Sequence, residues 1–315
     1  MTSRTRTVFL GTGAFAVPVL SALAGHPDVD LISVITAPLR IGSRGKAAQA
    51  PVAQWAAAHG VPLLRPQRLR SDESVADIRA LGPALLVLAD YGQIVPATLL
   101  DLPRHGALNV HPSLLPRYRG ATPIPAAILA GDAETGVTLM RMDAGLDTGP
   151  IVAQSRVTLT GTETAPELEE LLALQAARLL TAELERWLTG AITAQRQPEA
   201  GVSLTKPLRR DDGQLDPRKT AAQLERQVRA YQPWPGSFVE TASGRLTIWR
   251  AQPGEARPAE VFPGTFVATS DGRLALAAED ALLVVDDVQA AGGKRMSSKE
   301  LIRGRPGLVG SYIAQ

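Results

Sequence analysis

The chain has 315 residues, a mass of 33.3 kDa and a formal net charge of only +2, with 45% apolar and 20% charged residues. That length suffices for two domains with real cores, and the near-neutral charge permits a large acidic partner without announcing one. There is no cysteine, which excludes disulfides, thiolate nucleophiles and cysteine-ligated zinc.

The first half alternates buried strands with helices. Thr7–Leu10 reads as a strand, followed by a glycine turn and a helix through Val17–Ala24. Leu31–Ile35 is a second strand, and Pro51 opens a helix through Ala58 with His59 and Gly60 at its C-terminal cap. Ala84–Ala89, Ala107–Val110, Val137–Met142 and Ile151–Leu159 follow as strands, and an amphipathic helix runs from Thr164 to about Leu188 with Leu168, Leu171, Leu172, Leu179 and Leu180 on one side. This alternation predicts an α/β fold, a Rossmann-like, mostly parallel sheet covered on both faces. Thr189–Arg210 is polar and broken by glycine and proline, as an interdomain linker is. One helix is expected near Thr220–Tyr231. Short β-type runs then come at Gly236–Glu240, Arg245–Arg250, Gly264–Ala268, Leu274–Ala277 and Leu282–Val288, a spacing that suits a small OB-like β-barrel.

The apolar run near the start is four residues long, against the roughly 7–15 of a secretory signal. No segment approaches the roughly 18 apolar residues of a membrane span. The expectation is a cytoplasmic protein with no membrane association.

Gly11-Thr-Gly-Ala-Phe-Ala16 follows a strand and opens a helix, which fits the relaxed dinucleotide pattern. A dinucleotide site also needs a carboxylate at the end of the next strand. Here that strand ends Val34-Ile-Thr-Ala-Pro38. The loop therefore reads as a tight strand–helix turn, with no nicotinamide cofactor expected.

The chemistry concentrates in 109-NVHPSLLPRYRG-120. Asn109 is the only asparagine in the chain, so the position resisted a replacement accepted everywhere else. Pro112 pushes His111 into extended backbone. A period of two then places Asn109 and His111 on one face at a strand end, where open α/β sheets bind ligands. An amide donor beside an imidazole suits stabilisation of negative charge developing on a carbonyl oxygen. The other histidines read as structural: His26 and His105 in turns, His59 at a helix cap. Asp143-Ala-Gly-Leu-Asp147-Thr-Gly149 offers a loop carboxylate to orient and charge the imidazole, and spacing alone leaves Asp143 and Asp147 both open. No G-x-S-x-G elbow or H-E-x-x-H helix is present. The set therefore suggests direct transfer between two bound substrates, without metal.

NVHPSLLPRYRGATPI and GLDTGPI closely resemble the formyltransferases that use 10-formyltetrahydrofolate. The resemblance extends to FLGTGAFA, RIGSRGK at 40–46, YGQIVP at 91–96 and GDAETGVTLMRMDAGLDTG at 131–149. RAYQPWPGSF at 229–238 and KRMSSKELIRGRPGLVG at 294–310 are similar to the second domain of members acting on tRNA. The resemblance implies a formyltransferase catalytic domain over 1–189, a linker over 190–208 and an OB-like tRNA-binding domain over 209–315. It implies that Asn109, His111 and Asp147 are catalytic, and that Ser113, Leu114, Leu115 and Pro116 line the tetrahydrofolate site. Arg44 and Lys46 would reach the acceptor end of the tRNA, and Lys206 would also contact it; Lys294 and Arg295 belong to a basic run, with Lys299, Arg303 and Arg305 against Glu300, that suits phosphate contacts. The implied reaction carries a formyl group from 10-formyltetrahydrofolate to methionyl initiator tRNA; a monomer is the expectation taken separately. Three positions depart from the family pattern: Asp90 precedes Tyr91-Gly92 where a small residue is usual, Lys206 is displaced within SLTKPLRRDDG, and Gln232 stands where asparagine is usual. A sugar-nucleotide amine formyltransferase shares the central chemistry but has no need of the basic KRMSSKELIRGRPG segment. A non-catalytic RNA-binding module would need the barrel and not His111.

Overall fold

A computed structural model describes residues 4–38, 40–41 and 47–313. By internal contacts the chain forms two units: residues 1–123, 134–158 and 168–206 make the first, and 124–133, 159–167 and 207–315 the second.

The first unit is built on a seven-stranded sheet. Its strands are β1 (Thr5–Gly11), β2 (Val29–Ile35), β3 (Leu63–Leu64), β4 (Leu85–Ala89), β5 (Ala107–His111), β6 (Glu134–Arg141) and β7 (Ile151–Thr158). They lie in the order β7-β6-β5-β4-β1-β2-β3. The five strands from β3 to β5 pair in parallel, and β6 and β7 are antiparallel additions beyond β5. All five residues of β4 are buried, as expected of a strand covered on both faces. Helices α1 (Ala16–Ala24), α2 (Pro51–Ala58) and α3 (Asp72–Ala80) accompany this sheet, together with the single turn α4 (Ala97–Leu100). Val8, Leu10, Ile35, Ile78, Leu86 and Leu99 form one buried cluster of that core.

The mostly parallel sheet stands as read from the sequence, with boundaries moved by one to three residues. Helix α3 has too polar a composition for its apolar period to show, although Ser71 caps it by accepting the Ser74 N–H. In α6 (Ala165–Leu188) the buried stripe runs through Leu168, Leu172, Ala176, Leu180 and Leu184 in steps of four. Leu171, expected on that stripe, is 42% exposed, because it lies about 100° round the helix from Leu172, at the margin of the buried face.

The second unit is an antiparallel sheet of β8 (Ser237–Thr241), β9 (Gly244–Ala256), β10 (Phe266–Ala268), β11 (Leu274–Ala277), β12 (Ala281–Ala290) and β13 (Arg295–Ser297). It runs β8-β9-β12-β11-β10 with β13 on β12. Strand β9 has thirteen residues, well beyond the expected 245–250, and its register against β12 shifts three times. Such bulges bend a strand, and they give the curled sheet of an OB-like domain. Helix α7 (Ala221–Ala230), capped by Thr220 with Gln223 reaching back, buries Leu224 and Val228 against this core. Two further helices escaped the sequence reading: α5 (Pro123–Ala130), whose prolines suggest a loop, and α8 (Ser298–Gly304), which a Ser297/Glu300 capping box starts. The Gln232 amide donates to the carbonyls of Val228 at 3.1 Å and Trp249 at 2.8 Å.

Candidate active site

Strand β5 ends at the carboxyl edge of the sheet with Asn109 and His111 on one face. Asn109 lies between Leu88 of β4 and Met140 of β6, and His111 opposite Thr138 of β6. Asn109 is half-buried and His111 is buried.

The chain then turns back on itself, and buried polar bonds fix that turn. Thr138 Oγ1 donates to the Ser113 carbonyl at 2.6 Å and accepts the Leu115 N–H at 3.1 Å. Gln154 Nε2 donates to the Leu115 carbonyl at 2.8 Å, and Ser113 Oγ to the Arg117 carbonyl at 2.6 Å. The Leu115–Pro116 peptide is cis, and Tyr118 sits in left-handed backbone at φ 59°. The Tyr118 carbonyl thereby lies 2.9 Å from His111 Nε2. A carbonyl only accepts, so Nε2 carries the hydrogen and Nδ1 is the nitrogen that titrates.

Asp147 meets that nitrogen. Its Oδ2 lies 3.7 Å from His111 Nδ1 and accepts the Gly120 N–H at 2.8 Å, while its Oδ1 lies 3.5 Å from Asn109 Nδ2. The two aspartates left open by spacing are placed differently: Asp143 is exposed, and its Oδ1 accepts the Gly145 N–H and the Thr148 hydroxyl within its own loop. Asp147 also adopts left-handed backbone, at φ 50°. Burial pulls the His111 pKa below the ordinary histidine value, opposed by the Asp147 charge and then by the Tyr118 carbonyl.

The other expected site residues scatter. Ser113, Leu115 and Pro116 are buried and build the turn, and Leu114 is half-buried against β6 over Gly136. Lys206 is exposed, and its carbonyl accepts the Thr122 hydroxyl at 2.9 Å. Lys294 is exposed. Arg295 pairs with Asp287 at 2.7 Å and lies over the Trp249 ring. Arg44 and Lys46 lie outside the described residues.

The glycine loop has its own occupants. An Asp90 carboxylate oxygen sits so close above Gly13 that a Cβ there would meet it at 1.9 Å, and the Phe15 N–H donates to Glu169 Oε1 at 3.2 Å. The loop thus presents two carboxylates where a dinucleotide would bring its pyrophosphate. Burial and the neighbouring Glu169 push the Asp90 pKa up to about 6, against a Gly13 hydrogen bond that lowers it. Asp90 itself has a φ of 47°. Asp90 stood out in the sequence before Tyr91-Gly92, but neither Glu169, on an amphipathic helix, nor Gln197, in a polar stretch and holding the Asp147 loop, carries a sequence signal.

An amide, an imidazole and a carboxylate converge at the strand ends of an open α/β sheet, and Ser113 Oγ is tied to Arg117 rather than to His111. Such an arrangement, on such a sheet, has the donors and the charge that group transfer at a carbonyl carbon calls for. The formyl transferase pattern matches residues 5–184 and the formyl transferase C-terminal domain pattern residues 207–306. The chain belongs to the formyl transferase family.

Similar proteins span its whole length. A methionyl-tRNA formyltransferase of Sphingopyxis alaskensis is 43% identical over 321 residues, covering 98% of this chain and 100% of that one. Another from Magnetococcus marinus is 41% identical over 310 residues, covering 95% of each. Among solved structures, an N-formyltransferase from Helicobacter canadensis, in complex with folinic acid and dTDP-3-aminofucose, has a TM-score of 0.64 at 17% identity, covering 93% of this chain and 100% of that one. HypX from Aquifex aeolicus, in complex with tetrahydrofolic acid, has a TM-score of 0.62 at 15% identity. The match covers 95% of this chain, which spans only 47% of that larger protein. These two likenesses concern the fold.

Proposed function

We propose that this chain transfers the formyl group of 10-formyltetrahydrofolate to the free α-amine of methionyl initiator tRNA. The observation that carries the reading is the convergence of Asn109 and His111 on Asp147, in a chain that aligns end to end with relatives named for that reaction. When bound, the folate supplies an activated formyl carbon.

The residues of this chain do the rest. Asn109 has two amide hydrogens, so one can face Asp147 while the other serves the formyl oxygen. His111, protonated on Nδ1 beside the Asp147 carboxylate, stabilises the charge that develops on that oxygen. Asp147 keeps the imidazolium charged and would pass the proton lost by the attacking amine to the folate nitrogen, whose bond to the formyl carbon breaks as the new C–N bond forms. Ser113-Leu-Leu-Pro116 forms the wall of the folate site, with Leu114 its half-exposed member.

The catalytic domain is 1–189, the linker 190–208, and the OB-like domain 209–315 binds tRNA. Arg44, Lys46, Lys206, Lys294 and Arg295 contact the tRNA, and the protein works as a monomer in the cytoplasm. Among the described residues no helix is long and apolar enough to cross a membrane. The test is labelled formyl transfer to initiator and elongator tRNAs charged with methionine. Transfer to the initiator alone is the expected result; transfer to neither, with the folate still bound, would send the search to another amine.

A further inference from the structure

The active-site loop is held from behind by a residue that belongs to neither catalytic motif. Gln197 is buried, 5% exposed, in the polar stretch after α6. Its Nε2 donates to the Asp147 carbonyl at 2.8 Å and to the Gly149 carbonyl at 2.7 Å. Its Oε1 accepts both Nε and Nη2 of Arg119, at 3.0 and 2.7 Å. The amide orientation follows from chemistry, because carbonyls only accept and a guanidinium only donates. Reversing it would break all four bonds.

These bonds close a ring. The Asp147 carboxylate accepts the Gly120 N–H, Gly120 follows Arg119 in the chain, Arg119 holds Gln197, and Gln197 returns to the Asp147 carbonyl. Arg119 is anchored in turn: its N–H donates to the Ser203 carbonyl at 2.9 Å, and its carbonyl accepts the Thr205 hydroxyl at 3.2 Å. Further anchoring comes from Ile151 and Gln195, which exchange backbone bonds at 2.7 Å each way. Asp147 needs such support because its left-handed backbone is unfavourable for a residue with a side chain. A carboxylate aimed at an imidazole from a strained turn drifts unless both ends of its peptide are fixed.

We infer that Gln197 is a positioning residue of the transfer reaction, which through Arg119 and the Asp147 carbonyl fixes the distance between the Asp147 carboxylate and His111. The inference rests on the roles proposed for Asn109, His111 and Asp147. Gln197 itself touches no substrate in this account. It acts through Asp147, and it makes the segment after α6 part of the catalytic apparatus as well as a connection to the second domain.

The test uses the full-length chain with Gln197→Glu, which keeps size and the acceptor for Arg119 but sets a carboxylate oxygen against two carbonyls. The Asp147 loop should retreat from His111. Because about 1 Å of misplacement can cost roughly a hundredfold in rate, kcat is expected to fall between about tenfold and a hundredfold, with folate KM changed by less than about twofold. The alkaline limb of kcat should move to lower pH, since His111 loses part of the charge that keeps it protonated. A purely structural role would lower the melting temperature and leave that limb in place. Should Gln197→Glu melt early, Gln197→Met removes all four amide bonds with no change of charge and is expected to move the limb the same way. Wild-type kcat with an unmoved limb in a folded variant overturns the inference. So does a lost melting temperature with an unmoved limb in both variants. His111→Ala in the same assay separates the two failures: if it keeps the wild-type rate, the proposed site is wrong, whatever Gln197 does.

Discussion

His111 Nδ1 faces Asp147 Oδ2 across 3.7 Å, while the other ring nitrogen is committed to the Tyr118 carbonyl at 2.9 Å. The imidazole therefore has one place to gain or lose a proton, and that place faces a carboxylate. Without that carboxylate, burial would favour the neutral ring.

Asp147→Asn keeps an acceptor for the Gly120 N–H and removes the charge. The His111 pKa, already held down by burial, should fall further, so the imidazolium is lost at lower pH. The expected outcome is a kcat–pH profile whose alkaline limb moves toward acid, with a lower rate at neutral pH. An alkaline limb left in place would show that His111 does not act in the charged form.

Asp90 makes a separate prediction about stability. Its carboxyl has an ordinary pKa of 3.8 and about 6 in the fold, raised by burial and Glu169. Between those values the native state holds the proton more tightly, so stability declines as pH rises through the window. The unfavourable contribution is complete above about pH 6 and absent below 3.8. Asp90→Asn should therefore raise the melting temperature at slightly alkaline pH and leave it unchanged near pH 3.8. Paired thermal melts across that range check it, and an equal gain at every pH would contradict it.

The basic residues near the end of the chain should not contribute alike to tRNA binding. Arg295 is already paired with Asp287, whereas Lys294 is exposed and makes no ion pair among the described residues. Lys294→Ala should weaken tRNA binding and reduce the slope of log affinity against log salt by about 1. Arg295→Ala should change that slope less. Binding titrations at several salt concentrations distinguish the two, and equal slopes for both variants would refute the difference.

What the sequence disclosed depended on whether backbone period or three-dimensional return was involved. Asn109 and His111 were legible because a strand alternates faces and Pro112 fixes the extended backbone beside them. The parallel sheet was legible for a different reason, through unbroken apolar runs such as Leu85–Ala89 that mark strands covered on both faces. The choice of Asp147 over Asp143 rested on resemblance, since both lie in one glycine-rich loop and only the fold brings one of them to His111. The Tyr118 carbonyl and Gly120 N–H are backbone groups, so no residue type advertises them. Gln197 sits in a stretch whose composition says only linker, and its amide acquires a role when Arg119 and the Asp147 loop close around it. Helix α5 was hidden by prolines that its first turn tolerates.

The most direct test of the account is the rate of a single formyl transfer by Asn109→Ala, measured with saturating methionyl initiator tRNA and labelled 10-formyltetrahydrofolate. Loss of one oxyanion donor typically costs roughly 10²–10³ in rate, about 2.7–4 kcal/mol. A fall of that size, with folate affinity nearly unchanged, is the predicted result. A fall of less than about tenfold would contradict the role given to the chain's single asparagine.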